Sequence, residues 1–151
     1  MIFSMVLSRT PRSVQSDSSR NTTYRLGIAK DAKARYTQKP VSGDRLYIRI
    51  IWFARKKGGP DVDNITKLIV DGLKGIVYED DKQIDQCLST RIDIEKPYKV
   101  SNDKISDDTY RDLVDIINSG EISVLDRDVL YIEVGKMVSQ EAIFGPIDGG
   151  A

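Results

Sequence analysis

The sequence predicts a single domain of the α+β (mixed α/β) class, with a small sheet of about four strands packed with two core helices. The 151 residues, of which 40% are hydrophobic, suit one domain with a core of ordinary size. Two segments alternate apolar and polar residues as half-buried strands do, and two others carry apolar residues at helical spacing. The predicted order is β-α-β-α-β-β, with an inserted helix near residues 106–118.

The N-terminal part of the chain predicts a strand, a loop, a helix and a second strand. Ile2–Leu7 is a short apolar segment that predicts a strand. The polar, serine-rich Ser8–Ser19 is typical of a loop that could adapt its conformation to a ligand. A helix is expected from about Ser18–Asn21 to Tyr36. Leu46–Phe53 alternates and predicts a central strand. The apolar residues of the helix lie four apart, at Tyr24, Ile28, Ala32 and Tyr36.

The clearest helix lies in the middle of the sequence. Pro60 and Asp61 are start signals, Gly75 is a stop signal, and an acidic turn, Glu79–Asp81, follows. The apolar residues form one stripe, made of Ile65, Leu68, Ile69, Gly72, Leu73 and Ile76. The opposite face is charged and carries Asp63, Lys67, Asp71 and Lys74.

The C-terminal half predicts two more strands around an insertion. The strands are Ile84–Glu95 and Val129–Val134, and the insertion covers residues 97–126. The domain is expected to span residues 1–137, with 138–151 a flexible, glycine-rich tail. In the first strand one face is expected to hold Ile84, Leu88, Ile92 and Ile94. In the inserted helix the expected buried face is Tyr110, Leu113, Val114 and Ile117.

The composition excludes several classes of enzyme. With no histidine, the chain lacks the imidazole of Ser-His-Asp and Cys-His nucleophile systems, histidine-metal nucleases and H-E-x-x-H zinc enzymes. The lone Cys87 forms no intramolecular disulfide or thiolate zinc cage, so a reducing compartment is expected. Met1–Leu7 is too short for a signal peptide core or a membrane span, which predicts a soluble, cytoplasmic protein.

The charges divide strongly along a chain whose net charge is zero. Residues 1–67 hold 14 Lys and Arg against 5 Asp and Glu, whereas residues 68–151 hold 9 against 18. A cationic surface for a polyanion would explain this division. Mutual neutralisation of the two halves in the fold would explain it equally well.

Carboxylates gather around the middle helix. Asp61 and Asp63, one residue apart at its start, can converge on one ion, and the later pair Asp80-Asp81 could complete the site. Phosphodiester hydrolysis uses such clusters, because divalent ions activate water and offset the charge that develops on oxygen. Lys67 would add a fixed positive charge for the phosphate.

Each of these residues also has a purely structural interpretation. Asp61 could cap the helix and Asp63 could stabilise its first turn. The pair Asp80-Asp81 could be a solvated turn, and Lys67 could form a surface pair with Asp63. An EF-hand loop from Asp61 fails, because it would need glycine at Thr66 and a carboxylate at Gly72. A PD-(D/E)xK nuclease pattern made from Pro60-Asp61 and Asp80–Lys82 stays open as an alternative.

Three short motifs follow one another in the middle of the sequence. They are Asp61-x-Asp63-Asn64-x-x-Lys67, then Asp71-Gly72-Leu73, then Tyr78-x-Asp80-Asp81-x-Gln83-Ile84. Together they resemble the signature of RusA-type Holliday-junction resolvases, and the resemblance covers about residues 46–95. It implies a Mg²⁺-dependent homodimer that nicks two opposed strands of a four-way DNA junction. Its implied catalytic set is Asp61, Asp63, Lys67 and Asp81. This chain departs from well-known members in its zero net charge and its 97–126 insertion.

The resulting hypothesis is an endodeoxyribonuclease of DNA recombination and repair that acts on four-way or branched DNA. Asp61, Asp63 and Asp81 would hold Mg²⁺, or Mn²⁺ as a substitute, while Lys67 steadies the phosphate. The residues expected to orient these ligands are Asn64, Asp71 and Asp80. The residues expected to contact DNA are Arg20, Arg25, Lys30, Lys33, Arg35, Arg55, Lys56 and Lys57. A non-catalytic DNA-binding or regulatory protein on the same fold is the rival interpretation.

Overall fold

The computed structural model describes residues 1–55, 57–99, 106–118 and 128–139. It confirms the α+β class and the predicted element order. Lys56 and parts of the predicted insertion and tail lie outside the described residues, so the boundaries 97–126 and 138–151 stay predictions. The elements are β1 (Phe3–Ser8), α1 (Ser18–Arg35), β2 (Leu46–Ala54), α2 (Val62–Leu73), β3 (Ile84–Asp93), α3 (Asp107–Asn118) and β4 (Val129–Lys136).

The last strand in the chain lies inside the sheet. The strand order is β1-β4-β2-β3, with β4 antiparallel to both of its neighbours and β2 parallel to β3. Every residue of β4 from Val129 to Gly135 is buried, although its alternating sequence predicts one solvated face. The reason is that both faces are covered, with Leu130, Ile132 and Val134 in the main core and Val129 and Tyr131 packed with Leu113 of α3. Polar Glu133 can be buried because its carboxylate accepts hydrogen bonds from the hydroxyls of Tyr47 (2.5 Å) and Tyr131 (2.6 Å).

Helices α1 and α2 pack on one face of the sheet and form the main core. The predicted inward residues of α1 are all buried there, as are five of the six predicted for α2, the sixth being half-buried Ile76. The alternation of β2 predicts one inward face, which is also buried in this core and consists of Leu46, Ile48, Ile50 and Trp52. The side chain of Asp17 caps α1 by accepting from the backbone N–H groups of Ser19 and Arg20. Gly75, with φ of +75°, follows the end of α2 in the left-handed conformation that glycine tolerates.

Gly72 sets how closely the two helices approach. A Cβ atom built at Gly72 would lie 2.8 Å from Cγ2 of Ile28 and 3.1 Å from the carbonyl oxygen of Arg25. The hydrogen atom of glycine therefore lets the backbone of α2 rest against the side chain of Ile28, which is itself fully buried.

Helix α3 covers part of the opposite face. Leu113 packs in a second cluster with residues of β1, β2 and β4. The predicted buried face of α3 is partly wrong, because Thr109 and Leu113 are buried and Ile116 packs on the cluster, whereas Tyr110 and Val114 are only half-buried. Burial of Thr109 is possible because its hydroxyl shares hydrogen bonds with Ser4 (2.8 Å) and Ser106 (2.7 Å). The side chain of Ile117 lies outside the described residues.

The prediction that all apolar residues of β3 face one way is wrong. Ile84 packs against the main core, whereas Ile92 and Ile94 pack against the cluster on the other face. The register shifts between Leu46 and Tyr47, whose partners are Ile84 and Gln86, so one extra residue reverses the alternation. Within the part of the chain that the structure describes, no helix is long and apolar enough to cross a membrane.

We expect Gly72→Ala to destabilise the fold by about 1–3 kcal/mol, because the added methyl group overpacks the contact with Ile28. The sign of this stability change tests the explanation, because helix propensity alone would make Gly72→Ala stabilising by about 1 kcal/mol. Urea unfolding would measure the difference. Leu26→Ala, at a position 59% exposed on α1, is the control and should change stability by less than about 0.5 kcal/mol. A Gly72→Ala protein as stable as the wild type would contradict the close-approach explanation.

Candidate active site

The start of α2 is shaped by the glycines before it. Gly58 and Gly59 have φ of +88° and +98°, and a Cβ atom at Gly59 would lie 2.8 Å from the ring of Trp52. This turn brings the chain from β2 to Asp61, which occupies the N-cap position of α2 but makes no side-chain capping hydrogen bond. The structural interpretation of Asp61 as a side-chain cap of the helix is therefore wrong. Asp61 and Asp63 are both exposed at the helix start.

Arg91 is a site residue that the sequence analysis missed. It lines a cleft of about 310 Å³ with Asp61 and the glycine turn. Its guanidinium lies over the ring of Trp52, 4.9 Å from the ring centre, and donates to the carbonyl of Gly58 at 3.5 Å. The parallel register of β2 and β3 places Trp52 beside Arg91. No local motif marks Arg91, because only strand pairing brings it to Asp61.

Lys67 joins α2 to the acidic turn. Its Nζ atom lies 2.8 Å from the carboxylate of Asp71 and 3.3 Å from that of Asp81. Lys74 also contacts Asp81, at 2.9 Å, so two ammonium groups share one carboxylate. The surface pair with Asp63 that the structural interpretation offered for Lys67 is therefore replaced by contacts with Asp71 and Asp81.

The two aspartates of the acidic turn have different surroundings. Asp80 caps the short 3-10 turn Asp81–Gln83, accepting from the N–H of Lys82 at 2.9 Å, while the Gln83 side chain accepts from the N–H of Asp80 at 3.0 Å. The turn is anchored by buried Tyr78, whose hydroxyl donates to the carbonyl of Val70 at 2.7 Å. Asp80 thus shapes the turn and is 3.4 Å from Lys74, whereas Asp81 receives both lysines.

Electrostatics keep this cluster ionised. Hydrogen bonds from Lys74 and Lys67 hold the pKa of Asp81 below its usual range. The hydrogen bond to Asp71 raises the pKa of Lys67, and the one to Asp81 raises the pKa of Lys74. Asp81, Lys67 and Lys74 therefore carry full charges at neutral pH.

The carboxylate oxygens of the predicted ligands suit a hard metal ion, but the described side chains are not arranged close together as a metal site. Asp61, Asp63 and Asp81 offer only carboxylate oxygens, which Mg²⁺ prefers. Within the described ranges, however, no group of three or more Asp, Glu or Cys side chains lies close enough together to hold a metal ion. Asp81 would have to exchange lysine contacts for metal contacts to join Asp61 and Asp63.

The residues predicted to support the metal ligands are placed in three ways. Asp71 holds Lys67, Asp80 shapes the turn, and Asn64 connects α2 to the N-terminal loop, because its carbonyl accepts from the N–H of Val14 at 3.1 Å. This last contact links the segment after β1 to the start of α2.

The basic residues predicted to contact DNA do not form one surface on α1. Lys30 lies about 200° around the helix from buried Ile28, whereas Arg35 turns back to the sheet and donates to the carbonyl of Val6 at 3.5 Å. Exposed side chains on α1 include Arg20, Arg25, Lys30, Lys33 and Arg35. The backbone of Arg55 donates to Asp128, exposed Lys57 precedes the glycine turn, and Lys56 lies outside the described residues.

Comparison with protein families identifies the chain. The family model described as Endodeoxyribonuclease RusA matches residues 8–105, about two thirds of the chain. The match includes α1, β2, α2 and β3, and with them every residue of the predicted catalytic set. The chain therefore belongs to the RusA family of endodeoxyribonucleases, which confirms the resemblance seen in the sequence. A comparison with curated protein sequences found no match.

The shared carboxylate generates a prediction about pH. We expect the Asp81 carboxyl to titrate below the ordinary aspartate pKa of about 3.9, and Lys74→Ala to raise its pKa, since Lys74 is its strongest partner. A pKa lowered by folding means that Asp81 adds stability above the unfolded-state pKa and loses it as the pH falls. Carboxyl ¹³C shifts followed by NMR would measure both proteins. An ordinary pKa in the wild type would show that the lysines are elsewhere in solution.

Proposed function

We propose that this chain is a Mg²⁺-dependent endodeoxyribonuclease that resolves Holliday junctions or other branched DNA by paired nicks, in DNA recombination and repair. The observation that carries the proposal is the family match, which covers the whole segment from Asp61 to Gln83. The structure adds support, because Asp61 is not used as a cap and lines a cleft beside Arg91.

The side chains of this segment would have separate roles. Asp61, Asp63 and Asp81 would hold the ion, and the chemistry that Mg²⁺ supplies when bound is neutralisation of phosphate charge and a lower pKa for water. Lys67 would face the phosphate while Asp71 keeps its ammonium in place at 2.8 Å. The two ammonium groups on Asp81 would compete with a cation for that carboxylate.

The proposed assembly is a homodimer on junction DNA. Two nicks in opposed strands need two sites, and a two-fold dimer provides them in matching orientation on a junction of near two-fold symmetry. A second candidate function is a non-catalytic DNA-binding protein on this fold. It is favoured by one observation, the pairing of Asp81 with two lysines instead of with the other aspartates.

A nicking assay separates the two candidates. We expect the purified protein to nick a synthetic four-way junction with Mg²⁺ or Mn²⁺, and EDTA to abolish nicking without unfolding the chain. Asp61→Asn, Asp63→Asn and Asp81→Asn should each lower the rate by several orders of magnitude, roughly 10³-fold or more, because each removes a charged ligand. Junction binding, measured without divalent ions, should survive, since a negative charge near phosphates is lost.

The matched control is Asp112→Asn, which removes an exposed carboxylate from α3 on the other side of the sheet. It should nick at the wild-type rate. Robust cleavage in EDTA would remove the metal from the proposal. Junction binding by a wild-type protein that never nicks would favour the non-catalytic function instead.

Lys67 provides a sharper prediction about catalysis. If its charge acts on the transition state, Lys67→Ala should lower the single-turnover rate on saturating junction by roughly 10²- to 10³-fold. Lys67→Arg should restore only part of it, because a planar guanidinium differs from a compact ammonium. Lys74→Ala is the matched control, since Lys74 contacts the same carboxylate, and should cost less than about tenfold. A Lys67→Ala enzyme within about threefold of the wild type would reduce Lys67 to a structural partner of Asp71.

A further inference from the structure

A second, positively charged cleft lies where β1 ends and α1 begins. It measures about 430 Å³ and is separate from the cleft at Asp61. Among the described residues, three guanidinium groups and three hydroxyl groups line it, and none of these lining residues is acidic. The residues are Ser8, Arg9, Arg12, Arg20, Thr23 and Tyr24. Of these, only Arg20 was expected from the sequence to contact DNA.

Two hydroxyl groups of this cleft have unused hydrogen-bonding capacity. Ser8 Oγ and the Tyr24 hydroxyl are buried, and within the described part of the chain neither has a hydrogen-bond partner. Tyr24 is only 7% exposed. Buried hydroxyls are normally paired, so two orphans in one cleft call for an explanation. Burial also raises the pKa of Tyr24 above its usual value, which keeps the phenol protonated and able to donate.

Arg9 is held in the cleft from three sides. Its guanidinium pairs with Asp31 at 2.8 Å and lies 5.7 Å from the ring centre of Tyr24. The third side is α1 itself, where a Cβ atom at Gly27 would come within 3.1 Å of the guanidinium carbon of Arg9. Glycine in the middle of a helix is unfavourable by itself, and here it leaves room for a cation.

Arg12 lies on a loop that is fixed to both helices. Its Nε donates to the side chain of Asn21 at 3.4 Å, and the buried Asn21 amide donates to the carbonyls of Val14 and Ser16, both at 3.0 Å. Val14 in turn donates to Asn64 at the start of α2. The loop therefore connects this cleft directly to the Asp61–Asn64 segment.

We propose that this cleft binds one phosphate group of the DNA backbone, with Arg9, Arg12 and Arg20 as cationic donors and Ser8 and Tyr24 as hydroxyl donors. Three guanidinium groups suit a phosphate because each presents paired N–H donors to its oxygens. The choice of DNA as the source of the phosphate rests on the proposed function, whereas the oxyanion chemistry of the cleft does not.

The first experiment uses inorganic phosphate as the probe. A ligand that binds only the folded state raises the melting temperature as its concentration rises, so wild-type protein should melt higher in phosphate than in NaCl of equal ionic strength. Arg12→Ala with Arg20→Ala should abolish this difference. Arg111→Ala, which removes an exposed guanidinium from α3, is the charge-matched control and should retain it.

Two variants that keep the net charge make the test specific. Gly27→Ala should raise the melting temperature without phosphate, because alanine is a better helix former than glycine. It should weaken the phosphate-dependent rise, because the added methyl group pushes the Arg9 guanidinium aside. Tyr24→Phe removes an unpaired buried hydroxyl, so a purely structural role predicts an equal or higher melting temperature and unchanged binding. Binding of phosphate by this hydroxyl predicts weaker binding without loss of stability.

The second experiment measures affinity for a four-way junction by fluorescence anisotropy without divalent ions. We expect the double arginine variant to bind roughly 10- to 100-fold more weakly, and Tyr24→Phe about 3- to 10-fold more weakly, the usual scales for charged and neutral hydrogen bonds. The slope of log affinity against log salt should fall by about one unit, as for one phosphate contact. Arg111→Ala should leave both quantities unchanged.

The outcomes separate the cleft from the nuclease. If phosphate raises the melting temperature equally in all variants, the proposal that this cleft binds phosphate is wrong, even if the protein nicks junctions. If the variants lose the phosphate-dependent rise in melting temperature but bind the junction as the wild type does, the cleft binds free phosphate, and its assignment to DNA is wrong. Loss of both supports the proposal, whether or not the wild type nicks. If the double variant fails to fold, Arg20→Ala, at an exposed position, and Tyr24→Phe decide the same question.

Discussion

The close contact between α1 and α2 is the constraint on which both clefts depend. Gly72 lets α2 rest directly on Ile28 of α1, and the two helices bury one face of the sheet between them. From that base, the start of α2 presents Asp61 beside Arg91, while the loop before α1 is held against α2 through Val14 and Asn64. Separating the helices would move both sites relative to each other. Packing in the core thereby determines positions at the surface.

The charge division of the sequence has two consequences in the fold. Some charges of the basic half meet the acidic half directly, since Lys67 and Arg45 contact Asp81 and Asp85. Exposed pairs of this kind add little stability, and their main effect is to orient side chains. Elsewhere positive charge is left in excess, most clearly in the arginine cleft. Neutralisation between the halves is therefore observed for some residues, whereas a cationic surface for a polyanion stays a prediction.

The acidic cluster and the arginine cleft differ in how they are built. Asp81 is half-buried and shared by two lysines, so under the proposed function it would exchange these partners for a cation. In the arginine cleft, Arg9 lies over the ring of buried Tyr24 and Arg12 donates to buried Asn21, and among the described residues the Tyr24 hydroxyl has no hydrogen-bond partner. A flexible charged cluster suits a site that rearranges during a reaction. A site whose cations contact buried side chains would suit an anchor for a phosphate, as proposed.

The sequence by itself determined the α+β class, the helices, most strand bounds and the Asp61–Asp81 motif, because these follow from local periodicity, caps and spacing. Only the tertiary structure decided that β4 lies between β1 and β2, that β3 reverses its alternation, and that Lys67 pairs with Asp81. It alone brought Arg91 to Asp61 and the N-terminal arginines to Tyr24. These features depend on strand pairing and helix packing between distant segments. No local pattern encodes such contacts, since each partner taken alone has an ordinary sequence environment.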